Sequence, residues 1–229
     1  MVLVDYVLLT QETIKAVSRA HSLKAVFLPK MDAMQAGNGL HVHISFNDMN
    51  TGGNAFASIG SLSSRGQSFL EGILQHLPGL LALTMPTTNS FRRMGPGRWT
   101  GSAADWALED KEASLRVCSS LYTEEWQHVE YKLNDSTSNQ YLALAAILFC
   151  GLDGIKRSAT LRPSKTEEDA GKLPGSLTES LTCLEQDALL MDLMGPTLSK
   201  SYLALRRAEA KRSEKMTLEQ ELEEALKRA

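Results

Sequence analysis

The chain has 229 residues, of which 43% are hydrophobic, and it is long enough to bury a substantial core. Its formal net charge of −3 gives no overall attraction for nucleic acid or anionic lipid, so we expect neither as a partner. The three cysteines are widely spaced and form no CxxC pair, which favours reduced thiols in a cytoplasmic protein. No apolar run approaches the roughly 20 residues that a membrane-spanning helix needs.

The N-terminal segment predicts a helix followed by a strand. Residues 1–10 are apolar and are interpreted as core, with Thr10 as the N-cap of a helix that ends near His21. Residues 25–28 are also apolar and stand directly before Pro29, which indicates a short strand. Helices and strands are therefore expected to alternate from the start of the chain.

Residues 40–46 show the strict alternation of a strand with one apolar and one polar face. His41, His43 and Ser45 share the polar face, and the two histidine backbones lie about 7 Å apart. This spacing permits one shared metal ion or two neighbouring ligands. A metal site needs further ligands, however, and taken alone the pattern favours ordinary polar-face or hydrogen-bonded histidines.

The same alternation returns at residues 127–133, where His128, Glu130 and Lys132 share one face. Glu130 is an oxygen donor of the kind that Mg²⁺ and Mn²⁺ prefer. A lone carboxylate on a strand face is often only solvated. The strand therefore offers a ligand without proving a site.

The other predicted elements complete the fold. They are a helix at 67–85 broken at Pro78, short strands near 105–107 and 114–117, a helix at 139–155, a linker at 164–175, and helices over 176–229 with breaks at 195–196 and 216–217. This order predicts an α+β fold with an antiparallel sheet, flanking helices and a helical C-terminal region. We assign residues 1–160 to the sheet part and residues 161–229 to the helical part of one domain.

Basic side chains beside flexible backbone suggest an anion site. Arg93 stands in a loop that contains Gly95 and Gly97, and its guanidinium suits a carboxylate or phosphate. Lys111 and Arg116 would join it if their strand lines the same cleft. Exposed surface cations are the alternative interpretation.

Three segments, in order, resemble motifs of the glutamine synthetase family. Residues 37–43 are similar to its G-S-G-M-H-x-H segment, residues 86–97 to its N-S-Y-x-R-L-x-P-G loop, and residues 139–146 to its N-P-Y-L-A-x-A-A helix. The likeness extends from about Leu9 to the C-terminal helices and covers the later part of the family's catalytic domain. Trp99 and Gly101 look closer to the FluG-like and plant nodulin-type branch.

The resemblance implies a role for each matching residue. It implies metal binding by His41 and Glu130, nucleotide binding by His43, Ser45 and Arg116, substrate binding by Gly37, Arg93 and Lys132, and catalysis by Arg93 and Lys111. The implied reaction uses ATP and Mg²⁺ or Mn²⁺ to form γ-glutamyl phosphate from glutamate. Ammonia or a primary amine then displaces the phosphate, and the full-length form is expected to be a homo-oligomer.

Several positions depart from the family pattern. Lys111, His128 and Lys132 stand where the family usually has arginine, and Trp99 replaces a glutamate associated with ammonium binding. The family's other metal carboxylates and its small N-terminal domain lie upstream of the residues that match. We therefore expect an incomplete site, little ligase activity from the chain alone, and a start that reflects a fragment or partial gene product.

Two other functions compete with this one. The substitutions at Lys111, His128 and Lys132 are consistent with a catalytically deficient member of the family that serves in interaction or sensing. An HxH zinc hydrolase would use His41 and His43, but it needs further histidine and aspartate ligands later in the chain.

Overall fold

The protein is described by a computed structural model over residues 2–95, 97–120, 126–164 and 171–228. The helices in these ranges are α1 (Val2–Ala20), α2 (Ser64–Thr84), α3 (Thr88–Phe91), α4 (Gln140–Lys156), α5 (Leu177–Gln186), α6 (Ala188–Ser213) and α7 (Leu218–Arg228). The strands are β1 (Val42–Ile44), β2 (Ala57–Ser58), β3 (Ser61–Leu62), β4 (Ala103–Ala104), β5 (Trp106–Leu108), β6 (Leu115–Ser119), β7 (Trp126–Tyr131) and β8 (Gly171–Lys172). No helix in these ranges is both long and apolar enough to cross a bilayer.

Four strands form the central sheet in the order β1-β7-β6-β5. Strand β7 is antiparallel to both of its neighbours, so Tyr131 lies opposite Val42 on one side and Leu115 on the other. Strand β5 pairs in parallel with β6 and is the one departure in this sheet from the predicted antiparallel pairing. The α+β class and the helical C-terminal region are confirmed.

Two small sheets accompany the central one. Strands β2 and β3 form a hairpin, and β4 pairs with β8. Strand β8 lies within the segment predicted as a linker, residues 164–175, so that prediction is wrong at residues 171–172. Residues 165–170 of the predicted linker, and Pro96 of the predicted loop motif, lie outside the described residues.

Helix α2 is the centre of the core. Its buried side chains include Leu70, Ile73, Leu77 and Leu81, and the helix packs against α4 and α5. The predicted break at Pro78 is wrong, because the helix continues through it. Proline removes one backbone hydrogen bond, but packing on several sides holds the helix together despite that loss.

The C-terminal helices follow the predicted pattern closely. Gly195 adopts a positive φ of 68°, which interrupts α6 where the glycine-proline pair predicted a break. A second predicted break separates α6 from α7 near Thr217. A further boundary falls at Asp187, which ends α5 and whose side chain accepts a hydrogen bond from Leu190 N as the N-cap of α6.

The N-terminal predictions are wrong in three respects. Helix α1 runs through Thr10 without a boundary there, and only Val4 of this helix is buried, so the rest of residues 2–10 is not core. Residues 25–28 form no strand, because no neighbouring strand pairs with them. Apolar composition predicted burial here, but burial requires a partner surface, and α1 keeps most of its apolar side chains exposed.

Two glycines let α2 and α4 approach until their backbones touch. A Cβ atom on Gly154 would lie 2.1 Å from Ser68 O and 2.7 Å from Gly72 Cα. A Cβ atom on Gly72 would lie 2.3 Å from Cys150 O. These obstacles are main-chain atoms, so a rotamer change cannot relieve the clash.

Substitution of Gly154→Ala should lower the free energy of unfolding by about 2 kcal/mol or more, because it forces the two helices apart. Urea denaturation monitored by circular dichroism measures the change. The matched control is Gly175→Ala, where the new Cβ would lie 3.9 Å from a flexible side-chain oxygen of Glu179. Equal stability of the two variants would contradict the tight contact.

His76 on α2 forms charged contacts with α4 and with the junction between α5 and α6. Its Nδ1 lies 2.7 Å from Asp187 Oδ2, and its Nε2 lies 3.5 Å from Asp153 Oδ2 on α4. Asp153 also accepts a hydrogen bond from Arg157 Nε at 2.6 Å. The hydrogen bond to Asp187 raises the pKa of His76, with burial acting in the opposite direction.

The raised pKa gives a pH dependence with a definite sign. The contribution of protonated His76 is complete below the unfolded pKa of 6.5, and it is lost as pH rises through the folded-state pKa. His76→Gln should therefore destabilise the protein more at about pH 6 than at about pH 9. Urea titrations at both pH values test this, and Asp187→Asn, which keeps the helix cap, should weaken the same dependence. A His76→Gln effect that is constant with pH would contradict the charged contact.

Candidate active site

Three adjacent strands build one polar face of the central sheet. His43 on β1 lies opposite Glu130 on β7, and Glu130 lies opposite Arg116 on β6. Val129 and Tyr131 point to the other face and are fully buried. The alternation that the sequence showed thus separates a core face from a face that carries ionisable groups.

Glu130 holds the centre of this polar face. His41 Nδ1 lies 2.6 Å from Glu130 Oε1, and Arg116 Nη1 donates to Glu130 Oε2 at 3.3 Å. The hydrogen bond from His41 lowers the pKa of Glu130 to about 2 despite the opposing effect of burial. Glu130 is therefore an ionised carboxylate between an imidazole and a guanidinium.

Arg116 has a second carboxylate partner that the sequence did not indicate. Glu109, in the loop after β5, forms an ion pair with Arg116 and also accepts hydrogen bonds from the backbone N and the Oγ of Ser119, at 2.6 and 2.9 Å. The parallel pairing of β5 and β6 brings these residues together. Glu109 therefore shares the Arg116 guanidinium with Glu130 and offsets part of its charge.

Arg93 and Gly37, the two residues that the resemblance assigns to substrate binding, lie together. Arg93 is only 2% exposed, and its Nη2 donates to the carbonyls of Lys132 and Asn134. A Cβ on Gly37 would lie 2.5 Å from Arg93 Cγ, and a Cβ on Gly39 would lie 2.6 Å from Arg93 Nη1. Both glycines are needed for the loop to cover this side chain, and burial lowers the Arg93 pKa.

The two lysines of the predicted site have different partners. Lys132 is 2% exposed and its Nζ donates to the carbonyl of Lys111, while burial lowers the Lys132 pKa. Lys111 is exposed, and its own Nζ lies 5.1 Å from the centroid of the Trp99 ring. The structure therefore joins Lys132 to the Lys111 backbone and leaves the Lys111 ammonium on an aromatic face.

His43 and Ser45 lie toward the outer edge of the polar face. His43 Nδ1 is 2.9 Å from His128 Nε2, and Ser45 lines an open cleft that His128 also lines. Burial and the nearby His43 lower the His128 pKa. Cys118, which sequence reasoning did not select, lies opposite His128 in the β6–β7 pairing. Burial raises the pKa of the Cys118 thiol to about 11.

The donor set of His41 and Glu130 fits a hard divalent cation. A 2.6 Å hydrogen bond holds the His41 imidazole beside the ionised Glu130 carboxylate, and on giving up this bond the two groups would supply two of the roughly six ligands that Mg²⁺ takes. A separate cavity of about 360 Å³ is lined by parts of α1, α6 and α7 and shares no lining residue with this site.

The fold and the site define an α+β domain that presents imidazole, carboxylate and guanidinium groups from one face of a mixed sheet. The catalytic domain of glutamine synthetase matches residues 1–225 of this sequence. The chain belongs to the glutamine synthetase family, which confirms the family that the motifs indicated.

Curated relatives of known name share about a third of the residues. A γ-glutamylpolyamine synthetase, GlnA3 of Streptomyces coelicolor, is 34% identical and aligns with 90% of this chain and 47% of its own length. The glutamine synthetase of Pyrococcus abyssi is 35% identical, with 90% and 48% covered. Protein fluG of Emericella nidulans is 32% identical, with 91% and 24% covered. The chain spans about half the length or less of these relatives.

Solved structures show the same fold. A complex of GmaS with ADP superposes with a TM-score of 0.80 at 28% identity, covering 93% of this chain and 52% of the other. A structure described as a novel glutamine synthase homolog gives a TM-score of 0.80 at 30% identity, covering 94% and 51%. The similarity therefore includes nearly all of this chain and about half of each solved structure.

Proposed function

We propose that this domain forms the later part of the active site of an ATP-dependent ligase. The reaction joins the side-chain carboxylate of glutamate to ammonia or a primary amine through γ-glutamyl phosphate. The observation that carries the proposal is the row His41, Glu130 and Arg116, in which one ionised carboxylate stands between a metal-type ligand and a phosphate-type ligand.

The residues of this row have complementary roles in the proposed site. His41 and Glu130 would hold Mg²⁺ or Mn²⁺, which when bound supplies positive charge to the phosphate oxygens of ATP. Arg116 would bind and orient phosphate oxygens, and His43 and Ser45 would contact the nucleotide. Such groups are needed because glutamate and ATP are both anions and repel each other as they approach.

The remaining assigned residues would bind and activate glutamate. Arg93 and Gly37 would form the substrate loop, and Lys132 and Lys111 would offset negative charge near the reacting carboxylate. Burial of Arg93 and Lys132 supports this role, because a desolvated cation interacts strongly with an arriving anion. These roles rest on the positions that match the family's motifs.

A primary amine is the acceptor that we favour over free ammonia. Trp99 stands where assimilatory enzymes carry a glutamate. The residue is 61% exposed, and its ring already contacts the primary ammonium of Lys111. The relative GlnA3 is named for γ-glutamylpolyamine synthesis, which agrees with an alkyl amine. We propose that the full-length enzyme is a cytoplasmic homo-oligomer. We also propose that residues 1–160 form the sheet part of the domain and residues 161–229 its helical part.

One set of contacts favours the catalytically deficient alternative. Arg116 is paired with Glu109 and Glu130, while Arg93 and Lys132 donate to backbone carbonyls, so much of the positive charge is already satisfied within the chain. No comparable observation favours the zinc hydrolase, since the motifs and the domain match are those of glutamine synthetase. Nucleotide binding separates the ligase from the deficient alternative.

ATP with Mg²⁺ should raise the melting temperature of this chain, because a ligand that binds only the folded state stabilises it. Arg116→Gln should abolish most of the shift, whereas Glu109→Gln should enlarge it by removing a carboxylate that competes for Arg116. Differential scanning fluorimetry with and without Mg²⁺ measures the ATP-induced shift in the wild-type chain and in both variants. Arg207→Gln, which breaks an exposed pair with Glu185, is the matched control. Absence of any ATP-dependent shift, whether Mg²⁺ is present or not, would favour the deficient alternative.

The chain alone should form little or no glutamine or γ-glutamylamide. His41 and Glu130 supply too few ligands to hold a metal firmly, because the family's other metal carboxylates lie upstream of the matching residues. Release of inorganic phosphate in the presence of glutamate, ATP, Mg²⁺ and either ammonium or a diamine provides the assay. A full-length family member serves as the positive control, and robust product formation by this chain would contradict the incomplete site.

A further inference from the structure

Three metal-ligating side chains converge beside the row just described, and the proposed ligase does not use them as a set. His43 lies on β1, His128 on β7 and Cys118 on β6, so each of three adjacent strands contributes one group. Cys118 lies directly opposite His128, and His43 lies opposite Glu130, two positions from His128. Strand alternation places all three on the polar face of the sheet.

The distances among these side chains fit a single ion. One ligand atom from each of His43, Cys118 and His128 lies within 4.8 Å of the other two, and the closest pair of ring nitrogens is 2.9 Å apart. Ligands of a tetrahedral zinc ion lie roughly 3.3 to 3.8 Å apart, given the usual bond lengths. Small side-chain rotations therefore suffice to place the three atoms around one ion. This is the one such group of three found among the described residues.

The chemistry of the donors differs from that of the neighbouring magnesium-type pair. Two imidazole nitrogens and one thiolate sulfur suit Zn²⁺ and other soft or borderline ions, whereas Mg²⁺ prefers oxygen. A hydrogen bond between His43 and His128 would account for the short distance between their rings. It would not account for the position of the Cys118 thiol beside them. The Cys118 sulfur makes only a weak contact, 3.8 Å long, with the carbonyl of Arg116.

Glu130 lies where it can orient the His43 ring for such a site. His43 Nε2 lies 3.8 Å from Glu130 Oε1, while His43 Nδ1 faces His128. Histidine ligands commonly direct their second ring nitrogen toward a carboxylate, which orients the ring. This arrangement leaves Nδ1 of His43 directed toward His128 Nε2.

We propose that His43, Cys118 and His128 form a Zn²⁺ site, distinct from the cation site of His41 and Glu130. Binding displaces the thiol proton of Cys118 to solvent, and three protein ligands leave the fourth tetrahedral position open to water. Where the proposed function holds, the same imidazole of His43 cannot serve both nucleotide and zinc, so zinc would compete with ATP. The zinc site itself does not depend on ATP binding.

Titration of the metal-free chain with Co²⁺ and Zn²⁺ tests the site directly. We expect one ion per chain and, with Co²⁺, a thiolate charge-transfer absorption that Zn²⁺ displaces. Cys118→Ser should remove that absorption. His128→Asn should weaken binding by more than the roughly 10- to 100-fold that loss of an outer-shell partner costs, and it should retain the fold because His128 is only partly buried. Circular dichroism confirms that each variant is folded.

Two matched controls separate this site from adventitious binding. Cys183→Ser removes another free thiol and His21→Asn removes an exposed histidine, and neither should change the titration. His41→Asn should retain zinc, whereas an HxH zinc centre would lose it. The proposal is overturned if wild-type chain shows no thiolate absorption, if Cys118→Ser keeps it, or if His41→Asn alone abolishes binding.

Discussion

Strand β7 is the constraint on which the core and the polar face both depend. It pairs on both sides, with β1 and with β6, so the register of either partner fixes the position of every side chain on it. Val129 and Tyr131 fill the core on one face, while Glu130 faces the polar groups on the other. A shift by one residue would bury a carboxylate and expose an aromatic ring, so the hydrophobic effect itself holds Glu130 in place.

The same strand arranges the ionisable side chains of the polar face in two neighbouring rows. Toward one end, Glu130 is shared by His41 and Arg116; toward the other, His128 stands between His43 and Cys118. The two rows are two residues apart along the strand, and Glu130 Oε1 lies 3.8 Å from His43 Nε2. Glu130 therefore influences the electrostatics of both rows. We therefore expect a change of charge in one row to alter the electrostatics of the other.

Local patterns predicted the four strands of the central sheet and the C-terminal helices, because a period of two or 3.6 residues can be recognised from neighbouring positions in the sequence. The strand with Glu130 and the helix capped by Asn139 were predicted in this way. The burial of α1 and the break at Pro78 were predicted wrongly, because both depend on whether a partner surface is present. Glu109 gave no local signal, since its contact with Arg116 arises from a pairing that sequence spacing does not predict.

The close approach of α2 and α4 has a consequence for how the sequence can change. At Gly72 and Gly154 the nearest obstacles are the carbonyl oxygens and α-carbons of the opposite helix, not side chains. A substitution at either position therefore cannot be rescued by shrinking a neighbouring residue, because no neighbouring residue can shrink its backbone. Related sequences that retain this helix pair should therefore keep glycine at these two positions, whereas changes among the surrounding side chains can be compensated by their neighbours.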